Sequence, residues 1–195
     1  MTILWIHSSP KLYEDSMSSR IGYQVACKVS ELAATSSHSQ PLIEERDVYS
    51  IPHLDQATIT KFHTPDYQDT LSYELIQEVK GADYMVICTP MHNFGISSGL
   101  KAWIDHIVIS RQTFAYEKGK VQGLLKNIKK AFVVVTSGGN YAEESEYDNI
   151  TKYLNVILRF IGIHNIQFLW VGNTSQIRPE ELIAKTDKVI ATISL

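Results

Sequence analysis

Residues 88–105, CTPMHNFGISSGLKAWID, decide how this sequence is interpreted. An apolar run leads into the stretch and stops at Pro90, which is typical of a buried strand that ends there. The segment over 97–110 then has the spacing of a helix that begins at a serine cap. Binding residues lie in loops more often than in the core of a protein. Three such residues stand between the predicted strand and helix: His92, Asn93 and Phe94.

The rest of the chain repeats this alternation of strands and helices. Apolar strand patterns predict five strands, over residues 2–7, 41–49, 84–90, 129–139 and 166–172. Helical spacing predicts five helices, over residues 20–34, 70–83, 97–110, 144–162 and 178–194. Residues 50–69 have no clean period and are predicted to be a surface excursion, and residues 111–129 a long loop or small hairpin. The pattern predicts one α/β domain over residues 1–195, with a doubly wound five-stranded parallel sheet covered by helices on both faces.

Several local signals refine this prediction. Gly81 is expected to cap the helix that ends near it, and Pro179 is expected in the first turn of the last helix. The acidic run EESEYD, residues 143–148, is expected to start a helix and to complement its dipole. The three tryptophans, Trp5, Trp103 and Trp170, are expected in the core.

Composition and charge argue against several classes of function. The formal net charge of −3 predicts no nucleic-acid partner and no anionic membrane surface. The N-terminal run MTILWIHSSP is too short for a membrane span and has no basic flank, so we expect a cytoplasmic protein. Cys27 and Cys88 lie in apolar patterns and are expected to be reduced, buried thiols. The seven histidines lack the spacing of metal ligands, so no metal site is expected.

Three predicted strands end in loops that are rich in small hydrogen-bonding groups. The first loop, residues 8–19, brings serines in front of a helix, where hydroxyls and free amides bind phosphate. Taken alone, that loop is more consistent with ordinary helix capping. The loop after the fourth strand, TSGGN (residues 136–140), has two glycines that let the backbone approach a flat ligand. Because the carboxyl ends of parallel strands meet at one edge, the three loops together predict a site for FMN, with one phosphate and one planar ring. Neither a Walker loop nor a dinucleotide fingerprint is present in the sequence.

The same segments resemble a known family. PMHNFGISSGLKAWID is similar to the PMYNFxIS…LKxxxD segment of the FMN-dependent NADH azoreductases, which are flavodoxin-like quinone reductases. Two later segments, TFAYEKGKVQGLLKNIKKAFVVVTSGG and YLNVILRFIGI, also resemble that family. The resemblance is nearly continuous over residues 88–163, and the amino-terminal serine loop matches it more loosely.

The resemblance implies a flavodoxin-like fold that binds FMN without a covalent bond. The residues implied to hold the FMN phosphate are Ser9, Ser16, Met17 and Ser18. The residues implied to surround the ring are Met91, His92, Asn93, Phe94, Ser137, Gly138 and Gly139. A substrate pocket across a homodimer interface is implied for Tyr116 and Phe160, with Tyr141 and His92 near it.

The resemblance also implies a reaction. NADH or NADPH would deliver a hydride to flavin N5 and leave before a quinone or an azo compound accepts two electrons, without a protein acid or base. The sequence departs from the family at His92, in place of tyrosine, at Gly95, in place of asparagine, and at TSGGN, which lacks the arginine. The preferred acceptor is therefore left open.

Two other functions are compatible with the fold. A flavodoxin-type electron carrier would bind FMN but have no small-molecule substrate, and the near-neutral charge and the aromatic insertion over 111–129 argue against it. A hydrolase or transferase without flavin is disfavoured because the sequence has no GxSxG motif.

Overall fold

The computed structural model describes residues 1–37, 39–141 and 143–195. Its strands are β1 (Thr2–His7), β2 (Leu42–Asp47), β3 (Tyr84–Pro90), β4 (Phe114–Glu117), β5 (Lys120–Gly123), β6 (Lys130–Thr136) and β7 (Ile166–Val171). Its helices are α1 (Met17–Ser37), α2 (Gln56–Lys61), α3 (Leu71–Gly81), α4 (Ser98–Ile107), α5 (Ile150–Phe160) and α6 (Pro179–Ala191). Five strands form a parallel sheet in the order β2-β1-β3-β6-β7, and β4 and β5 form an antiparallel hairpin. The predicted doubly wound five-stranded sheet is confirmed, and the insertion over 111–129 contains the hairpin.

The central strands are apolar without interruption because helices cover both faces of the sheet. In β1, Leu4 and Ile6 pack in the layer that contains α3, α4 and α5. The alternate residues Ile3 and Trp5 pack with residues of α1 and α6. All four side chains are buried, and burying each contributes about 1.5–3 kcal/mol to folding. Such a strand shows no alternation of polar and apolar residues, as the sequence indicated.

The helix predicted over residues 144–162 is wrong at its start. α5 begins at Ile150, and the acidic segment before it forms turns. The buried carboxylate of Asp148 accepts the backbone N–H of Glu144 at 2.9 Å and that of Thr151 at 2.8 Å. Glu144 has a φ of 63°, which an α-helix does not allow. The acidic run therefore precedes the helix and is not its first turn.

The other predicted helix ends are confirmed in part. The Ser97 side chain caps α4 by accepting the N–H of the residue three positions later at 3.3 Å, and Pro179 lies in the first turn of α6. The prediction that Gly81 caps α3 is wrong, because Gly81 is the last helical residue and Ala82 turns the chain into an extended conformation. α4 ends at Ile107, three residues earlier than predicted.

The excursion over 50–69 contains α2 and a short 3₁₀ turn, Pro65–Asp69, that the sequence did not predict. Tyr67, in that turn, is 5% exposed, and its ring packs against Phe62 and Tyr73 at centroid distances of 6.2 and 5.5 Å. Among the described residues no group forms a hydrogen bond with its buried hydroxyl. Burial, with a smaller contribution from Tyr73, raises the pKa of Tyr67 to about 12.

We expect Tyr67→Phe to raise the free energy of unfolding at pH 7 by about 1 kcal/mol, because it removes a buried hydroxyl that has no partner. The ordinary tyrosine pKa is 10.0. Between that value and the folded value the unfolded chain binds fewer protons than the folded one, so stability falls as pH rises. Urea unfolding at pH 7 and at about pH 10.5 measures the free energy of unfolding at both values. The variant should lose the part of the alkaline fall in stability that Tyr67 causes. Tyr73→Phe is the matched control, and equal behaviour of the two variants would contradict the assignment.

Candidate functional site

The strand order of the sheet reverses between β1 and β3, so the carboxyl ends of these strands open a crevice. The serine loop follows β1, the loop over 91–96 follows β3, and the glycine loop follows the adjacent strand β6. Ser8 connects the ends of β1 and β3, because its N–H and its Oγ donate to the Cys88 carbonyl at 3.2 and 3.1 Å. The three loops that the sequence singled out therefore lie at one edge of the sheet.

A cavity of about 320 Å³ lies between these loops. That volume is in the range of small-molecule sites, about 300–1,000 Å³. The predicted site residues that line it are Ser9, Ser16, Met17, Ser18, Met91, His92 and Gly138. Residues that the sequence analysis missed also line it: Pro10, Lys11, Pro90, Thr136, Thr174 and Ser175. Thr174 and Ser175 follow β7, so the strand-end rule that identified the other loops would have identified them as well.

Ser16 caps the amino-terminal end of α1. Its Oγ accepts the N–H of Ser19 at 3.2 Å and lies 2.8 Å from the Ser19 Oγ and 3.3 Å from the Ser18 Oγ. Within the described ranges of the chain, the backbone N–H groups of Met17 and Ser18 have no hydrogen-bond partner. Free amides at the start of a long helix attract anions. Lys11 adds a positive charge to the cavity wall, so this end of the cavity suits a phosphate.

The loop after β3 is held in an unusual backbone conformation. His92 and Gly95 exchange both N–H···O hydrogen bonds at 2.9 Å. The two residues between them, Asn93 and Phe94, have φ values of 47° and 64°. This is the arrangement of a type I′ hairpin turn, which favours Asn at its first central position but Gly at its second. A phenylalanine at positive φ costs about 1–3 kcal/mol, so tertiary contacts must hold it.

Those contacts come from the segment after β6. The Phe94 ring lies 5.5 Å from the Tyr141 ring and 5.3 Å from the Tyr147 ring, and the two tyrosine rings are 5.5 Å apart. The Asn149 Nδ2 donates to the Phe94 carbonyl at 3.2 Å. These four residues connect the cavity loop to the acidic segment. Tyr147 was missed because that segment was interpreted as a helix.

The glycine loop, residues 136–140, is hydrogen-bonded to the loop after β7. The Thr174 N–H and Oγ1 donate to the Ser137 carbonyl at 3.0 and 3.1 Å. A Cβ at Gly138 would lie 2.8 Å from the Ser175 Oγ, and one at Gly139 would lie 2.7 Å from the Tyr141 ring. At both positions the nearest atoms belong to a side chain, which would have to shift to admit a larger residue, so packing within the chain disfavours one there whatever ligand is bound.

Four predicted flavin contacts lie in these loops without lining the cavity of the described chain: Asn93, Phe94, Ser137 and Gly139. Tyr116 and Phe160 lie elsewhere. Tyr116 is 67% exposed on β4, and the Phe114 ring lies between the two, at 5.8 Å from Tyr116 and 4.6 Å from Phe160. Phe160 lines a second cavity, of about 490 Å³, together with Val121 and Val156. One chain therefore does not bring Tyr116 and Phe160 to the first cavity.

Other reactive groups are few in the part of the chain that the structure describes. No cluster of three or more His, Cys, Asp or Glu residues is placed there to hold a metal ion, and His38 lies outside that part. Cys27 and Cys88 are free thiols, half-buried and buried respectively. Burial raises the pKa of Cys88 to about 12, although the Trp5 Nε1 donates to its sulfur at 3.2 Å. Cys88 therefore offers no thiolate nucleophile near neutral pH.

No helix among the described residues is both long and apolar enough to span a membrane.

Similarity to known proteins extends over almost the whole chain. The family described as having the flavodoxin-like fold matches residues 1–193. The FMN-dependent NADH:quinone oxidoreductase of Saccharophagus degradans is 35% identical over 199 residues, covering 98% of this chain and 93% of that protein. The protein with the same name from Beijerinckia indica is 36% identical over 208 residues, covering 99% and 98%. A crystal structure of an FMN-dependent NADH-azoreductase from Bacillus anthracis in complex with FMN has a TM-score of 0.81 and 28% identity, covering 98% and 97%.

Proposed function

We propose that this chain, which belongs to the flavodoxin-like family of FMN-dependent NADH:quinone oxidoreductases, binds FMN and reduces quinones or azo compounds with electrons from NADH. The observation that carries the proposal is the cavity at the switch point, which has free helix amides and serine hydroxyls at one end and the loops after β3 and β6 at the other. Relatives named as FMN-dependent NADH:quinone oxidoreductases match this chain over 93% and 98% of their own length.

The residues of the cavity fit FMN in two separate parts. The amides of Met17 and Ser18 and the hydroxyls of Ser9 and Ser16 would hold the phosphate, and Lys11 would balance part of its charge. All three serines of the loop that line the cavity, Ser9, Ser16 and Ser18, are at most 6% exposed. Their positions are therefore fixed before a ligand binds, which lowers the entropy lost on binding.

The ring of FMN would lie against the loops after β3 and β6. Met91 and His92 line the cavity, and their backbone is fixed because the N–H of Met91 donates to the Thr136 carbonyl and that of His92 to the Gly95 carbonyl. FMN supplies the two-electron chemistry when it is bound, because no side chain of the chain does so. The protein's own contribution would be to hold the ring between these loops and to admit NADH and then the acceptor to it.

Steady-state kinetics tests this function. With FMN-loaded protein, NADH oxidation measured at several fixed concentrations of 1,4-benzoquinone should give parallel double-reciprocal lines, since the two substrates use one site in turn. NADPH in place of NADH measures the donor preference. Absence of turnover with small quinones and azo compounds would contradict the proposal and favour an electron carrier.

We further propose that two copies of the chain associate through α5 and the β4–β5 hairpin. Exposed apolar side chains mark this face: Tyr116 at 67%, Val156 at 64%, Val121 at 44% and Leu124 at 37%. Such a contiguous apolar surface is unusual for a monomer. A twofold-symmetric contact would cover the same residues on both copies. It would also allow Tyr116 and Phe160 to take part in a substrate pocket shared by two chains, as the family resemblance implies.

Val156→Asp should shift this association toward monomer by at least tenfold in dissociation constant, because it puts a charge into the apolar face. Sedimentation velocity over a range of concentrations measures the shift. Ile183→Asp is the matched control, since Ile183 is 61% exposed on α6, outside the proposed face. A wild-type protein that sediments as a monomer would contradict the proposal, as would equal effects of the two variants.

We also infer that residues 1–195 act as one domain and that the enzyme works in the cytoplasm. The free thiols of Cys27 and Cys88 support a reducing compartment. The formal net charge of −3 supports a protein without a nucleic-acid partner.

A further inference from the structure

We propose that the acceptor side of this site is an aromatic wall with a negatively charged rim, so that the enzyme selects cationic and neutral aromatic acceptors and discriminates against sulfonated or carboxylated ones. The inference rests on the proposed function, because it names the class of acceptor for that reaction. It is carried by two features of the described chain: the aromatic cluster of Phe94, Tyr141 and Tyr147, and the carboxylates of residues 143–148.

The aromatic cluster adjoins the cavity through both of its loops. Phe94 lies in the hairpin turn that starts at His92, a cavity residue, and Tyr141 packs over Gly139, next to the cavity residue Gly138. Two of the three rings are well exposed, Phe94 at 41% and Tyr147 at 45%. They lie 5.3 Å apart with 30° between their planes. Exposed rings held in this way provide a surface on which a planar arene can stack.

The same segment concentrates negative charge. Residues 137–152 contain four carboxylates and one cation, Lys152. Asp148 is buried and accepts two backbone N–H groups, so its charge is largely offset by these donors. The other three carboxylates flank the two tyrosines, are exposed and form no ion pair within the described chain: Glu143, Glu144 and Glu146.

The negative charges of these carboxylates lie close to one another. Partial burial of the Glu143 carboxyl group, followed by repulsion from Asp148 and Glu144, raises the pKa of this otherwise exposed residue. Of the first amides of α5, the N–H of Thr151 already binds Asp148. The glycine loop, TSGGN, contributes no arginine, and the cation in the cavity wall, Lys11, lies in the serine loop that would hold the phosphate.

These carboxylates produce an electrostatic field that acts on charged acceptors. A patch of one sign beside a binding surface raises the local concentration of oppositely charged ligands by about 10- to 1,000-fold and lowers that of like-charged ligands. The effect weakens as ionic strength rises, because the Debye length falls from about 30 Å at 0.01 M salt to about 10 Å at 0.1 M. Stacking on the three rings is independent of charge, so neutral acceptors keep their affinity.

The test uses two azobenzenes that differ in one group, a trimethylammonium or a sulfonate at the same ring position, with 1,4-benzoquinone as the neutral reference. At about 0.01 M ionic strength we expect kcat/KM of FMN-loaded enzyme to be at least about tenfold higher for the cationic dye. The ratio should shrink several-fold at 0.5 M salt. Calorimetry with the two stilbenes of the same charges, which cannot be reduced at a nitrogen–nitrogen bond, measures the binding preference without turnover.

A triple variant locates the effect. Glu143→Gln, Glu144→Gln and Glu146→Gln together should lower the cationic-to-sulfonated ratio at least threefold and leave the benzoquinone rate unchanged. The matched control removes three exposed carboxylates of α6, by Glu180→Gln, Glu181→Gln and Asp187→Asn, and should leave the ratio unchanged. A ratio near one, or a ratio that the triple variant does not move, overturns this inference while benzoquinone turnover upholds the proposed function. Loss of benzoquinone turnover in the wild type overturns both.

Discussion

Ser18→Asp is expected to lower the affinity of the protein for FMN at least a hundredfold and to change its affinity for riboflavin by less than about threefold. The Ser18 side chain is 3% exposed, and its Oγ lies 3.3 Å from the Ser16 Oγ, beside the free amides of α1. Like charges about 4 Å apart cost about 4 kcal/mol near a protein surface, and a hundredfold change corresponds to about 2.7 kcal/mol. Riboflavin has no phosphate, so it does not meet this repulsion.

Titration of each variant with FMN and with riboflavin, followed by flavin fluorescence, measures both affinities. Ser98→Asp is the control, because it adds a carboxylate to the first turn of α4, away from the cavity lining. If Ser18→Asp does not fold, as thermal unfolding will reveal, Lys11→Glu provides the same test at an exposed residue of the cavity wall, with an expected loss of about tenfold. Equal losses for FMN and riboflavin would contradict the placement of the phosphate.

Gly123→Ala is expected to lower the free energy of unfolding by about 3 kcal/mol, the largest stability effect that we expect from one added methyl group. A Cβ at Gly123 would lie 2.2 Å from the backbone nitrogen of Gly162 and 2.4 Å from its Cα. Gly162 itself has a φ of 108°, and the N–H of Leu125 donates to the Ile161 carbonyl at 2.9 Å. Backbone cannot move aside as a flexible side chain does, so the hairpin must separate from the end of α5.

Urea unfolding measures this loss, with Gly81→Ala as the control. A Cβ at Gly81 would meet nothing within 4 Å, and Gly81 is the last residue of α3. Alanine there should stabilise the protein by about 0.5–1 kcal/mol, because it lowers the entropy of the unfolded chain. A loss at Gly123 of less than about 1 kcal/mol would show that the hairpin is not clamped to α5. Because the clamped hairpin forms part of the proposed dimer face, the variant should also dissociate more readily.

The fold was predictable because its strongest signals are local. β1, β3 and β6 are short runs whose inner residues, 3–6, 85–88 and 131–135, are apolar on both faces, and the helices between them have clear apolar stripes. The start of α5 was not predictable from its acidic run, because the outcome depends on where one carboxylate is buried. Asp148 binds N–H groups on both sides of itself, and this bonding replaces a further helical turn.

The site was predictable where it follows from the ends of strands. Ser16, Met91 and Gly138 line the cavity because their loops all follow strands that end at one edge of the sheet. The conformation of Phe94 was not predictable, because a bulky residue disfavours positive φ. It is held by rings and an amide about fifty residues away along the chain, from Tyr141, Tyr147 and Asn149. Such contacts leave no local trace in the sequence.

The measurement that tests the central claim most directly is reduction of the bound flavin in the absence of oxygen. FMN-loaded protein is mixed with NADH while the visible absorbance is followed, and 1,4-benzoquinone is then added. The proposed function predicts rapid bleaching without a long-wavelength band from a one-electron reduced form, followed by full recovery of the absorbance when the quinone is added. Bound flavin that NADH does not bleach, or that stops at a one-electron form, would contradict a two-electron quinone reductase.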